Sequence, residues 1–73
     1  MKRHTYAVII EPAGRNFSAY VPDLPGCVAT GETPEEAEAQ MREAIELHLD
    51  GMRRAGLPIP EPAAVAREIA ATA

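Results

Sequence analysis

The segment from Thr33 to Gly56 most narrows what this chain can become. Thr33 is a favourable N-cap, Pro34 suits the first helical position, and Glu36 stands three residues after Thr33, completing a capping box. Behind that start, Ala37, Met41, Ala44, Ile45, His48, Leu49 and Met52 recur at the spacing of one helix face. Glu35, Glu38, Arg42, Glu43, Glu46 and Arg53 take the other. Gly56 falls where a C′ residue belongs, Arg53 and Arg54 complement the negative end of the helix dipole, and Pro58 blocks continuation. Gly51 weakens the last turns locally. A single amphipathic helix thus takes a large part of a 73-residue chain, and its apolar stripe requires a surface to lie on.

That surface has to come from the residues ahead of it. Thr5 to Glu11 (TYAVIIE) is rich in β-branched and aromatic residues, and Pro12, Ala13, Gly14, Arg15 and Asn16 read as the turn after it. Phe17 to Val21 resumes the strand pattern. Pro22, Pro25 and Gly26 then shape a bent loop before Cys27, Val28, Ala29 and Thr30 extend again. Short connections between successive strands favour an antiparallel meander. The expected fold class is α+β, a small antiparallel three- or four-stranded sheet with one helix packed on one face. Leu57 to Pro62 reads as an extended, proline-rich connector. In the tail from Ala63 to Ala73, alanines and Glu68 suit a helix, yet Val65, Arg67 and Ile69 alternate as in a strand, and we expect a short fourth edge strand with a frayed end.

Size and composition bound the rest. At 7.8 kDa the chain makes one domain, residues 1–73, with no separate DNA-binding domain, and 47% apolar residues put it among folding sequences. A net charge of −4 and a pI near 5.0 argue against wrapping nucleic acid and for a basic partner. Cys27 is the only cysteine, which excludes an internal disulfide and fits a reducing compartment. The apolar run Tyr6–Ile10 is too short for a signal peptide core, and no stretch approaches a membrane span, so a soluble cytoplasmic protein is expected. Both parities of the first strands are apolar, Tyr6, Val8 and Ile10 on one side and Ala7 and Ile9 on the other. One helix covers one face, so a homo-oligomer, most simply a dimer, is expected.

Taken in order, Tyr20-Val21-Pro22-Asp23-Leu24-Pro25-Gly26-Cys27, then Thr30-Gly31-Glu32-Thr33-Pro34-Glu35-Glu36-Ala37 and Glu43-Ala44, resemble the N-terminal domain of the HicB family of antitoxins from type II toxin–antitoxin systems. The resemblance runs from about Thr5 to Pro62, with Pro58, Ile59, Pro60 and Pro62 matching the family's usual exit from the helix. It implies a β-β-β-α-β domain similar to a truncated ribonuclease-H-like fold. It also implies binding to a small basic HicA-type RNA-cleaving toxin, whose active site is occluded. Many such antitoxins carry a C-terminal DNA-binding module. Only eleven residues follow Pro62 here, so direct DNA binding is not expected.

On this reading the candidate partner-binding residues are Asp23, Leu24, Glu32 and Glu35, while Pro22, Pro25, Gly26, Thr33 and Glu36 form the structural motif around them. Asp23 has two accounts, as a cap on nearby backbone amides or as a carboxylate for a basic side chain of the toxin. The acidic helix surface is a solvated face that also steers a basic partner. The alternative function is a solo domain acting as a metal-dependent nuclease or an RNA-binding regulator. Nuclease chemistry of the ribonuclease-H type needs clustered carboxylates, and Glu11, Asp23 and Glu32 lie at strand ends and loops, so no catalytic or metal-binding residues and no cofactor are assigned. His48 reads as a core or interface histidine, and Cys27 as a buried small residue.

Overall fold

The computed structural model describes residues 4–72. Three strands, β1 (Ile9–Ala13), β2 (Asn16–Tyr20) and β3 (Val28–Gly31), form an antiparallel sheet in the order β1-β2-β3, and α1 (Pro34–Arg54) crosses one face. The helix begins and ends where its local chemistry dictates. Thr33 is extended, and its Oγ1 accepts from the amide of Glu36 at 3.0 Å. At the other end Gly56 adopts φ +73°, donating to Arg53, while Leu57 donates to Met52 at 2.9 Å. These are the two bonds of a Schellman motif, which satisfies the last carbonyls.

β1 and β3 lie later in the chain than the residue pattern suggests, whereas β2 begins and ends one residue earlier. β1 runs through Pro12 and Ala13, which we expected in the turn, and the turn itself is only Gly14-Arg15, closed by the Ala13–Asn16 pair. Gly14 has φ +71° and Arg15 does not, the geometry of a type II′ hairpin that matches sheet twist. Pro12 is tolerated because β1 is an edge strand, where a missing N–H breaks no inner ladder. Tyr6–Val8 is extended but unpaired in the sheet, since β2's continuation turns away at Val21. The fourth strand expected around Val65–Ile69 is absent: every described residue after Ala64 is exposed and outside any strand. The alternating pattern is there, but this chain presents no free strand edge alongside it.

Register sorts the sheet into two faces. Ile10, Ala19 and Ala29 align across the three strands on the helix side, as do Phe17 and Gly31. The core is Ala19, Val21, Leu24, Cys27, Ala37, Met41 and Leu49, all buried, with Tyr6, Val8, Ile10, Phe17, Ile45 and Met52 packed around it. The opposite face carries the row Ile9–Tyr20–Val28 next to Glu11–Ser18–Thr30. Its apolar character is therefore confined to one row rather than the whole face. The helix comes closest over β3, and Gly31 is why. A Cβ there would lie 2.8 Å from the Glu36 carbonyl carbon and 2.9 Å from Ala37 Cα, both backbone atoms.

Candidate functional site

The start of α1 presents its carboxylates outward. The Glu36 carboxylate turns back to accept from the amide of Glu32 at 3.3 Å, one residue further upstream than an ideal capping box. Glu32 and Glu35 are exposed and lie at the positive end of the helix dipole. Along the helix, Arg42 pairs with Glu38 at 3.1 Å and Arg54 with Asp50 at 3.0 Å, both i,i+4 on the surface. Glu43 and Glu46 have no cationic partner among the described residues.

A groove of about 550 Å³ separates the segment leading into β1 from α1. Its floor is apolar, with Tyr6, Val8, Ile10, Met41 and Ile45, and Glu38, Arg42 and Glu46 stand on its helix rim, Arg42 being paired with Glu38. Sequence reading could not reveal this groove, because its walls come from two segments, 4–10 and 38–49, that are far apart in the chain.

The Val21–Cys27 loop is two consecutive turns. Leu24 donates to Val21 at 3.0 Å and Cys27 donates to Leu24 at 3.1 Å, so each turn has a proline, Pro22 or Pro25, at its second position. Gly26, with φ +85°, supplies the positive dihedral that a type II turn requires at its third. This geometry drives Leu24 into the core at 1% exposure. Leu24, expected at a partner interface, is instead packed among the core residues, because the two turns place every third residue inward.

Asp23 meets the chain's own C-terminal segment. Its Oδ2 accepts from the amides of both Ala63 and Ala64 at 3.0 Å, and these two bonds hold its carboxyl below its ordinary pKa. The Tyr6 hydroxyl donates to the Pro60 carbonyl at 2.6 Å, and burial, followed by the negative charges of Glu61 and Asp23, pushes its pKa up. His4 Nδ1 lies 3.8 Å from Glu61. The connector after α1 is thus tied down by side chains from the other end of the chain. Asp23 precedes β3 and Glu32 follows it, so the expected partner-binding residues divide between opposite ends of that strand. Only Glu32 and Glu35 share a neighbourhood.

Cys27 is buried against the Met41 sulfur at 3.8 Å, and burial pushes its thiol pKa up, the reverse of what a nucleophile needs. Among the described residues no group of three or more His, Cys, Asp or Glu is placed to hold a metal ion, and no helix is long and apolar enough to cross a membrane. What the molecule offers is surface: an α+β domain with an apolar groove rimmed by Glu38, Arg42 and Glu46.

Comparison with known proteins places that domain. The profile of the HicB-like antitoxins of bacterial toxin–antitoxin systems matches residues 6–73, and the chain belongs to this family. It is 34% identical over 59 residues to a UPF0150 protein of Synechocystis, covering 80% of this chain and 75% of that one. A UPF0150 protein of Helicobacter pylori is 46% identical over 41 residues, covering 56% and 57%. An uncharacterized 14.9 kDa protein of Haemophilus phage HP1 is 40% identical over 47 residues, and the chain spans only 35% of its length and 64% of its own. In three dimensions the fold is similar to a chain of a solved HicA3 and HicB3 toxin-antitoxin complex, with a TM-score of 0.71 at 28% identity, over 82% of this chain and 70% of that one.

Proposed function

We propose that this protein is an antitoxin that binds a basic HicA-type RNA-cleaving toxin and occludes its active site, without catalysing a reaction itself. The observation that carries the reading is the groove beside α1. Its apolar floor is bordered on the helix side by Glu46 and by the Glu38–Arg42 pair, which leaves the Glu46 carboxylate for a cationic group of an amphipathic basic segment that inserts its apolar side chains. Membership of the HicB-like family and the likeness to a toxin–antitoxin complex support the same assignment. The exposed carboxylates of Glu32 and Glu35 add negative potential at the start of the helix and act chiefly on association rate. Asp23 contributes indirectly, by holding the connector in place.

The test is to co-purify the chain with a HicA-type toxin and assay RNA cleavage by that toxin with and without the chain. Inhibition at a stoichiometric ratio, with association slowing as salt rises, is the expected result. Ile45→Glu in the groove floor should lower affinity by more than about tenfold, since it places a charge where an apolar side chain is to be buried. Unimpeded cleavage in the presence of folded chain overturns the proposal.

A further inference from the structure

The four most exposed large apolar side chains among the described residues are Ile69 (88%), Leu47 (73%), Val65 (67%) and Val28 (65%). They fall on two surfaces. Val28 and Leu47 border a groove of about 310 Å³ between the outer edge of β3 and α1, where Ala44, Gln40 and Glu43 also lie. Val65 and Ile69 lie on the tail beyond Ala64, which stands off the domain and helps give it a long axis of 47 Å.

Each surface lacks what the other has. β3 is the last strand of the sheet, and its Val-Ala-Thr-Gly sequence has no lysine, proline or other charge to discourage pairing. The tail has an alternating strand pattern and no strand to pair with. In an extended chain Val65, Arg67 and Ile69 share a face, and the Arg67 guanidinium reaches only the neighbouring Ala66 carbonyl, at 3.2 Å. Glu43 in the groove has no cationic partner among the described residues. The spacings agree as well. Residues two apart on a strand are separated by about 6.7 Å, and Glu43 and Leu47, four apart on a helix, by about 6 Å.

We infer that the tail of a second copy of this chain adds to the outer edge of β3 as an antiparallel or parallel fourth strand. Ile69 then lies against Ala44 and Leu47, Arg67 meets Glu43, and Val65 extends past Glu43 towards Gln40. The backbone amides and carbonyls of Val28–Gly31 that face outward gain partners, and Val28 is covered from the side. The pairing is independent of the antitoxin reading, because it uses the opposite side of α1 from the larger groove.

Sedimentation velocity over a range of micromolar concentrations tests it, with circular dichroism confirming that each variant folds. All the positions changed are exposed. Val65→Glu combined with Ile69→Glu, and separately Leu47→Glu, should each raise the dimer dissociation constant at least about tenfold. Glu43→Arg and Arg67→Glu should each weaken association about two- to five-fold, and the double exchange should restore it. Several results overturn the inference. The wild-type chain could stay monomeric throughout the range. The dimer could survive Val65→Glu with Ile69→Glu, or be abolished by Tyr20→Glu on the open sheet face instead. Hydrogen exchange could show the Val65–Ile69 amides protected equally at all concentrations, which means that the tail pairs within its own chain. Finally, Glu43→Arg could weaken toxin binding but not self-association, which would assign the edge to the toxin.

Discussion

Replacing Gly31 by alanine should destabilise the protein, against the usual trend for glycine in a strand. Ordinarily such a change helps by about 0.5–1 kcal/mol, because alanine restricts the unfolded chain and fits extended backbone. Here the new methyl would sit 2.8 Å from the Glu36 carbonyl carbon and 2.9 Å from Ala37 Cα. Ordinary contact begins near 3.4 Å, and the Ala37 amide nitrogen lies closer still than these two atoms, so β3 and the first turn of α1 must separate by more than about 0.6 Å. No flexible side chain can absorb this, since the obstructing atoms are backbone held by the Thr33 cap and the Ala37–Thr33 bond of 2.9 Å. Overpacking of this kind costs about 1–3 kcal/mol, and in a domain of this size each kcal/mol shifts the melting temperature by about 4–8 °C. Gly51→Ala is the control. It lies in α1 with nothing within 4 Å of an added Cβ, so the same substitution should stabilise by about 0.5–1 kcal/mol. Thermal and urea unfolding of both variants decide the matter. If Gly31→Ala melts at or above the wild-type temperature, the close approach of β3 to the helix start is not what selects glycine there.

Thr33→Ala removes the acceptor for the Glu36 amide and should cost roughly 1 kcal/mol in urea denaturation, with no loss expected if the helix begins elsewhere. Leu24→Ala should cost about 2–5 kcal/mol out of the roughly 4–11 kcal/mol available to a chain of this length, so its effect on any partner should track unfolding rather than binding. Asp23→Ala should release the connector, read as faster hydrogen exchange at Ala63 and Ala64. The same tether has a pH dependence of known sign. The Asp23 pKa is lowered from 3.8 on folding, so its contribution is complete above that value and is lost as pH falls through the lower folded pKa. Amide shifts of Ala63 and Ala64 should therefore titrate with a midpoint below 3.8, and a midpoint at or above it would refute the carboxylate tether.

Helix boundaries were legible because capping is chemistry between residues a few positions apart. Thr33, Pro34 and Gly56 each do locally what their side chains or missing atoms dictate, and the apolar stripe from Ala37 to Met52 meets the sheet as its period implies. Strand limits were less so. Tyr6–Val8 has strand composition yet lacks a partner, and Pro12 has turn composition yet sits in β1, since pairing depends on where the neighbouring strand runs. The candidate site divides the same way. The exposure of Glu32 and Glu35 follows from their place in the first turn, whereas the burial of Leu24 depends on the two turns that carry it inward.

Residue order alone makes legible the α+β class, the helix with both its ends, the acidic surface of that helix and the likeness to HicB antitoxins. All of these rest on short-range spacing or on motifs contiguous in the chain. Folding is what brings Asp23 to Ala63 and Ala64 forty residues away and Tyr6 to Pro60, sets a helix backbone against Gly31, and opens grooves on either side of α1. Each of these joins segments whose proximity is set by sheet register and helix placement, and a linear pattern carries no term for the distance between residues that only folding brings together.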